Sequence, residues 1–286
     1  MATHKPDRVQ LDRYFYRVVD IKRSSDFAKV WLLERVGDSS PRTIYDKRLS
    51  VKTFDKAVEA AVVNELSNWV LLHHANVLPL IKIARLNFRI AALMEWCQAG
   101  TLEDVIRRRA FTWAETRTIL LQAGEALRYA HEKHNLAHLD IKPANVLIKA
   151  FPNHVQVSDW GISKLASSGR IDGAGGTHGF YPPERLNGKP FSGPSSDIFA
   201  LGMTALVALT RGLPYRYEPD EARYGSRDEQ QFMQLNTGLY FQNARALLKP
   251  LPSSIQNLLL SCIHPDPSTR YAEYRPLLHA VAAVTA

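Results

Sequence analysis

Cysteine is scarce. The 286-residue chain carries two, Cys97 and Cys262, far apart in sequence. Two distant thiols exclude a disulfide framework and a cysteine-rich zinc site, and they fit a reducing compartment. Long apolar runs are missing as well. The longest, ALGMTALVAL at Ala200–Leu209, is far short of the about 20 residues a membrane-spanning helix needs. The first ten residues, MATHKPDRVQ, have no apolar core of the kind a secretory signal carries, so a cytoplasmic location is expected. There is no fixed-period repeat and no low-complexity tract. Charge is not of one sign. The net charge of +8 is scattered, with one tight cluster at Arg107–Arg109, so a nucleic-acid partner is not expected. What is present is ordinary globular composition, 45% hydrophobic and 22% charged, which excludes wholesale disorder. The length is about twice the commonest domain size, which suits one large domain or two packed lobes.

Along the chain, residues 1–11 read as a loose tail. YFYRVVDI and AKVWLLERV, between Tyr14 and Val36, read as strands around a polar turn, KRSSDF. RLSVKTF adds a third strand after the GDSSPR loop, so the chain opens as a β-meander. Val58, Val62, Glu65, Leu66 and Trp69 then recur at helical spacing on one face. Glu65 is anomalous there, because a carboxylate on an apolar stripe must be paired if buried or else sit at the stripe's wet edge. Strand patterns return in ANVLPLIKI and FRIAALMEW. Beyond Gly100 the pattern turns helical. Residues 113–132 carry Ile119, Leu120, Leu127 and Ala130 on one face, and 253–262 and 272–284 are amphipathic. VLIKAFPNHVQVS predicts two short strands around a Pro-Asn turn. Residues 197–210 are apolar nearly all round, as in a buried helix, with Ser195, Ser196 and Asp197 supplying N-cap chemistry. A β-rich part followed by a larger helical part, with a composition shift near residue 97, predicts an α+β chain in two lobes.

The segment richest in chemistry is His138-Leu139-Asp140-Ile141-Lys142-Pro143-Ala144-Asn145, followed after the strand pair by Asp159-Trp160-Gly161. Two carboxylates and an amide on loops at strand ends can converge on a ligand. Hard oxygen donors without cysteine favour magnesium over zinc. Phosphoryl transfer needs metal on the phosphate oxygens, a cation on the phosphates and a base for the hydroxyl.

These residues resemble the eukaryotic-type serine/threonine protein kinase domain, whose motifs are written H-R-D-x-x-x-x-N and D-F-G. The likeness covers roughly residues 14–284. It implies the bilobal kinase fold, with a tail at 1–11, an N-lobe at 12–96, a C-lobe at 97–286 and the active site in the cleft. It implies ATP and Mg2+ as cofactors, Asp140 as base with Lys142 beside it, and Asn145 and Asp159 as metal ligands. Lys52 in RLSVKTF matches the phosphate-gripping lysine and Glu65 its partner. Met94 matches the gatekeeper, with the backbone of Glu95 and Cys97 facing adenine. Val30 and Leu147 lie above and below the base, with Ser50 where alanine usually roofs it. GTHGFYPPE at Gly176–Glu184 resembles the end of the activation segment. Glu184 and Arg270 match a buried ion pair, and Asp197 an acceptor of catalytic-loop N–H bonds. Trp69, Leu80, His138 and Trp160 match the packing column that links the lobes.

Three departures stand out. Arg23, Ser25 and Ala28 occupy the glycine positions of the nucleotide loop. Leu139 replaces the arginine that in the family reads an activation-loop phosphate. Trp160 replaces phenylalanine after Asp159. The resemblance predicts an ATP-dependent kinase acting on Ser/Thr hydroxyls of a protein substrate, with a regulatory protein partner possible. The alternative is a pseudokinase-like binding or scaffold module, supported by the glycine-free loop. A small-molecule phosphotransferase is a third reading, weakened by the long segment ending in Pro-Pro-Glu.

Overall fold

In a computed structural model of the chain, the residues described are 6–11, 14–25, 28–36, 48–56, 59–150, 154–160, 164–165, 179–186, 191–218, 223 and 226–285. The chain divides into two compact units, Met1–Gln98 and Ala99–Ala286.

Strand pairing in the first unit begins earlier than the sequence suggested. Arg8–Leu11 is a strand, β1, rather than part of a loose tail, and it pairs antiparallel with β2 (Tyr14–Ser25). Its four residues alternate outward and inward, and Val9 and Leu11 are buried. So short an alternation between charged residues leaves little periodic signal, and partner strands supply the rest of the stabilisation. β3 (Ala28–Arg35), β4 (Leu49–Phe54), β5 (Leu80–Leu86) and β6 (Arg89–Glu95) complete an antiparallel sheet in the order β1-β2-β3-β4-β6-β5. The expected turn KRSSDF is shorter than read. Lys22 pairs with Val30 and Ser25 with Ala28, so the ladder runs to within two residues of the reversal. One helix, α1 (Glu59–Val70), precedes β5.

One face of this sheet is the core, where Val9, Leu11, Tyr16, Leu33, Val51 and Leu93 cluster. Leu11 is 1% exposed. Leu11→Ala is expected to cost about 2–5 kcal/mol in chemical denaturation. A cost below about 0.5 kcal/mol would remove β1 from the core.

The second unit holds α2 (Leu102–Ile106), α3 (Trp113–His134), β7 (Leu136–Ala137), β8 (Val146–Ala150), β9 (His154–Val157), β10 (Lys164–Leu165) and α4 (Pro183–Leu186). α5 (Gly193–Thr210), α6 (Arg227–Asn236), α7 (Leu239–Leu248), α8 (Ser253–Cys262) and α9 (Tyr274–Ala283) follow. α3 starts on a capping box made by Thr112 and Glu115 and ends on left-handed Asn135, a donor-satisfying start and a turn that stops the helix.

α5 corrects a sequence expectation. Its N-cap is Ser192, whose side chain accepts from the Ser195 N–H, and Pro194 sits in its first turn. Ser195, Ser196 and Asp197 are therefore inside the helix rather than capping it, since proline is preorganised for the first turn. α5 is buried nearly all round, as its composition predicts. It meets α8 closely at Gly202, where a Cβ would come within 2.5 Å of the Cys262 Cβ. Burial pushes the Cys262 thiol up to about 12, so it is a packing residue and no nucleophile. Among the described residues, no helix is long and apolar enough to cross a membrane.

Candidate active site

The loop His138–Lys142 is hung between two strand pairs. β7 before it pairs with β10, and β8 after it pairs with β9. A 3-10 turn at Pro143–Asn145 joins loop to strand. Asp197, fully buried on α5, anchors the loop from beneath. Its Oδ2 accepts from the His138 N–H at 2.8 Å and its Oδ1 from the Leu139 N–H at 2.7 Å. The Tyr274 hydroxyl donates a third bond to Oδ2 at 3.0 Å. Burial pushes the Asp197 carboxyl above its usual value, opposed by His138 and by these donors. So Asp197 does what the resemblance implied.

His138 is a structural histidine. Its Nδ1 accepts from the Asp140 N–H at 3.2 Å, which leaves the ring proton on Nε2 to donate to the Ser158 carbonyl at 2.9 Å. Its ring meets Trp160 edge-on at 4.6 Å. In the first unit, Trp69 is buried with its indole N–H on the Leu78 carbonyl, and Leu80 is half-buried.

Asp140, Lys142 and Asn145 come together by direct contact. The Asp140 Oδ2 accepts from Lys142 Nζ at 2.8 Å and from Asn145 Nδ2 at 3.0 Å. Asn145 Nδ2 also donates to the Asp140 carbonyl at 2.8 Å. With the amide nitrogen engaged, Oδ1 is the Asn145 atom suited to a cation. Asp159 is carried next to it, since Ser158 donates both its N–H and its hydroxyl to the Asn145 carbonyl, at 2.9 and 3.1 Å. Asp159 (φ 64°) and Leu139 (φ 66°) are both left-handed, a conformation that costs a side-chain-bearing residue about 1–2 kcal/mol and persists where surroundings impose it.

Among the described residues there is no group of three His, Cys, Asp or Glu arranged to hold a metal ion. Two protein oxygens, from Asn145 and Asp159, suit magnesium, which keeps waters and takes substrate phosphates as its other ligands. The donor set therefore fits the ion.

In the first unit the register gathers the expected nucleotide residues. Ala28 pairs with Phe54, Val30 with Lys52, and Ser50 with Met94. Successive side chains alternate, so Ala28, Val30, Ser50, Lys52 and Met94 share the sheet face opposite the core. Lys52 is buried, and its Nζ lies 5.4 Å from the Phe54 ring centroid. Glu95 closes β6, Cys97 follows it buried, and in the second unit Leu147 is half-buried on β8. Arg23 pairs with Lys29, out of phase with the Val30 row, and Ser25 with Ala28. Both lie in paired, extended backbone, where the conformational freedom of glycine is not required. The side chains of Arg23, Ser25 and Glu65, the expected partner of Lys52, lie outside the described residues, as does Gly176–His178.

The Glu184–Arg270 pair forms as a fork, with Arg270 Nη1 and Nη2 donating to Glu184 Oε1 and Oε2 at 2.7 and 2.9 Å. Three contributors escaped the sequence reading: Ser158, Tyr274 and Arg185, whose Nη1 donates to the Leu139 carbonyl at 2.8 Å. A Ser directly before Asp159 was the available cue for the first. The other two have no local pattern.

Comparison with known proteins gives the family and the fold. The protein kinase domain family matches residues 27–281. CBL-interacting protein kinase 21 of Oryza sativa subsp. japonica is 30% identical over 218 residues, covering 74% of this chain and 39% of that protein. This chain thus spans about two fifths of the length of that relative. Calcium/calmodulin-dependent protein kinase type 1 of Caenorhabditis elegans is 26% identical over 277 residues, covering 96% of this chain and 75% of that protein. A crystal structure of Rad53 1–466 in complex with AMP-PNP shares the fold, with a TM-score of 0.73 at 22% identity, covering 94% of this chain and 65% of that one. A β-rich unit followed by a helical one is accordingly the bilobal kinase architecture. With nearly its whole length matched and the Asp140 loop built as described, the chain belongs to the protein kinase domain family.

Proposed function

We propose that this protein is an ATP-dependent serine/threonine protein kinase that moves the γ-phosphoryl group of ATP to protein hydroxyls. The observation that carries the reading is the Asp140 carboxylate, hydrogen-bonded by Lys142 and Asn145 on a loop fixed to buried Asp197. Asp140 takes the proton of the attacking hydroxyl, and Lys142 steadies the charge that this leaves. Asn145 and Asp159 would hold Mg2+, which when bound would neutralise phosphate oxygens. Lys52 is the residue for the α- and β-phosphates, with Glu65 its expected partner. On this reading Val30, Ser50, Met94, Leu147 and the backbone of Glu95 and Cys97 are the residues for the nucleoside, with Arg23, Ser25 and Ala28 at the glycine positions of the phosphate loop. Lys142, two residues after the base, favours Ser/Thr over tyrosine as acceptor. Relatives named for calmodulin and CBL make a regulatory protein partner part of this reading.

The test is incubation of purified protein with labelled ATP, magnesium and a generic Ser/Thr acceptor. Binding is scored separately. Saturating Mg-ATP should raise Tm by several degrees, because a ligand at about 100 times its Kd adds about 2.7 kcal/mol. The shift should need magnesium and be lost in Asp159→Ala. One observation, the side-chain-bearing residues at all three glycine positions, favours the second reading of a pseudokinase-like scaffold. An equal, metal-independent shift in wild type and Asp159→Ala, with no labelled acceptor, would decide for it.

A further inference from the structure

Leu139 stands where the family pattern has arginine, so the catalytic loop carries no guanidinium of its own beside Asp140. A guanidinium nevertheless reaches that backbone from elsewhere. Arg185, on α4, is 6% exposed, and its Nη1 donates to the Leu139 carbonyl at 2.8 Å. We propose that Arg185 is a positioning residue that locks the catalytic loop from outside and keeps Asp140 aimed without a phosphate on the activation segment. This rests on the kinase reading above.

Leu139 is held in three directions. Its N–H is bound by Asp197 at 2.7 Å, its carbonyl by Arg185, and its side chain packs with Ala137 and Phe191. That triple hold explains how a leucine stays at φ 66°, which only a surrounding that over-determines the backbone maintains. The next residue is Asp140, so the Leu139 peptide sets where the base points.

Arg185 is itself fixed. Its guanidinium lies 4.8 Å from the Tyr181 ring centroid and 5.3 Å from that of Phe191, stacking that suits the planar cation. Its neighbour Glu184 is forked to Arg270, whose side chain is fully buried. Burial pulls the Arg185 guanidinium below its ordinary value, while Asp197, Tyr181, Asp140 and Glu184 counter it. Keeping a buried cation against that cost is reasonable where the hydrogen bond fixes geometry. A phosphate that attracts an arginine orders a segment by charge-assisted bonds. Here the cation is already docked on the loop, so phosphate on Ser163, Ser167, Ser168 or Thr177, all outside the described residues, is not needed for that purpose.

The experiment compares wild type, Arg185→Met and Arg185→Lys by amide hydrogen exchange and steady-state kinetics. In Arg185→Met, the amides of His138, Leu139 and Asp140 should exchange at least about tenfold faster while the interiors of α3 and α5 keep their protection. The kcat should fall by about ten- to a hundredfold with KM for ATP within about twofold, as displacement of a base predicts. Arg185→Lys should recover part of both. If Arg185→Met does not fold, the lysine variant alone should give an intermediate loss of protection and of kcat. Phosphatase-treated wild type should retain both. Unchanged exchange in the variants, a KM for ATP rising in step with the loss of kcat, or deprotection of the treated wild type overturns the proposal. Wild type that transfers no phosphate sinks the kinase reading alone, and the exchange measurement still decides whether Arg185 holds the loop.

Discussion

Asp140→Asn should lower phosphoryl transfer by at least about 10²-fold while leaving the fold and the Mg-ATP thermal shift close to wild type. The substitution is nearly isosteric, so packing around the loop persists. What it removes is a charge and a proton acceptor. Lys142 Nζ lies 2.8 Å from Oδ2 and Asn145 Nδ2 lies 3.0 Å from it, an arrangement of two donors on one carboxylate oxygen. An asparagine can meet them only through its single amide oxygen, and it has no basic lone pair to take a hydroxyl proton. Lys142 then loses the charge it was paired with. The residues proposed for the nucleotide, Val30, Ser50, Lys52 and Met94, belong to the other unit and keep their places. The measurement is initial rate with labelled ATP, alongside Tm with and without nucleotide. A mutant that labels its acceptor at the wild-type rate would remove Asp140 from the chemistry. A mutant that loses the thermal shift as well would instead make it a binding residue.

That much could be read from contiguous residues. His138, Asp140, Asn145 and Asp159 lie within 22 positions, and the chemistry of each type at that spacing is specific. The strands and helices with sustained periodicity were likewise legible, α3 and α5 among them, because burial of one face or of all faces leaves a mark every few residues. The strand at Arg8–Leu11 was not, since four residues are too few to show alternation. The start of α5 was misread because Ser195, Ser196 and Asp197 have the composition of a cap, whereas Pro194 was the better signal. Arg185 and Tyr274 were beyond reach for a different reason. Their acceptors, the Leu139 carbonyl and the Asp197 carboxylate, lie 46 and 77 residues away. A bond to a backbone carbonyl leaves no trace in the identity of the residue that accepts it. Asp197 and the Glu184–Arg270 fork, which also hold the loop and its surroundings, were expected from their motifs, whereas Arg185 and Tyr274 came only from the fold.

Glu184→Ala should destabilise the protein by about 3–5 kcal/mol, the second large effect. Arg270 is the more deeply buried partner, with its side chain at 0% exposure against 13% for Glu184. Two of its nitrogens fork onto the carboxylate, while Nε donates to the His264 carbonyl at 2.6 Å and its guanidinium lies 4.9 Å from the Phe199 ring centroid. Removing Glu184 strands that cation with the carbonyls and the ring as its remaining support. Neutral groups of that kind do not offset the desolvation of a full charge. Glu184→Gln keeps an acceptor and the shape, and should cost less. Arg270→Met removes the buried charge itself and leaves the more exposed carboxylate behind. The double variant Glu184→Ala, Arg270→Met should therefore be less destabilised than the sum of the singles, since one stranded charge is absent when both partners go. At about 2–4 °C per kcal/mol for a chain of this size, the alanine variant should melt on the order of 10 °C below wild type. The same variant should speed amide exchange at Leu139, because Arg185 follows Glu184 directly and bonds the Leu139 carbonyl. Calorimetry of the four proteins settles the cycle. Additive single effects, or a Glu184→Ala variant within about 1 kcal/mol of wild type, would mean that the fork contributes no net stabilisation and that α4 is anchored by its aromatic packing instead.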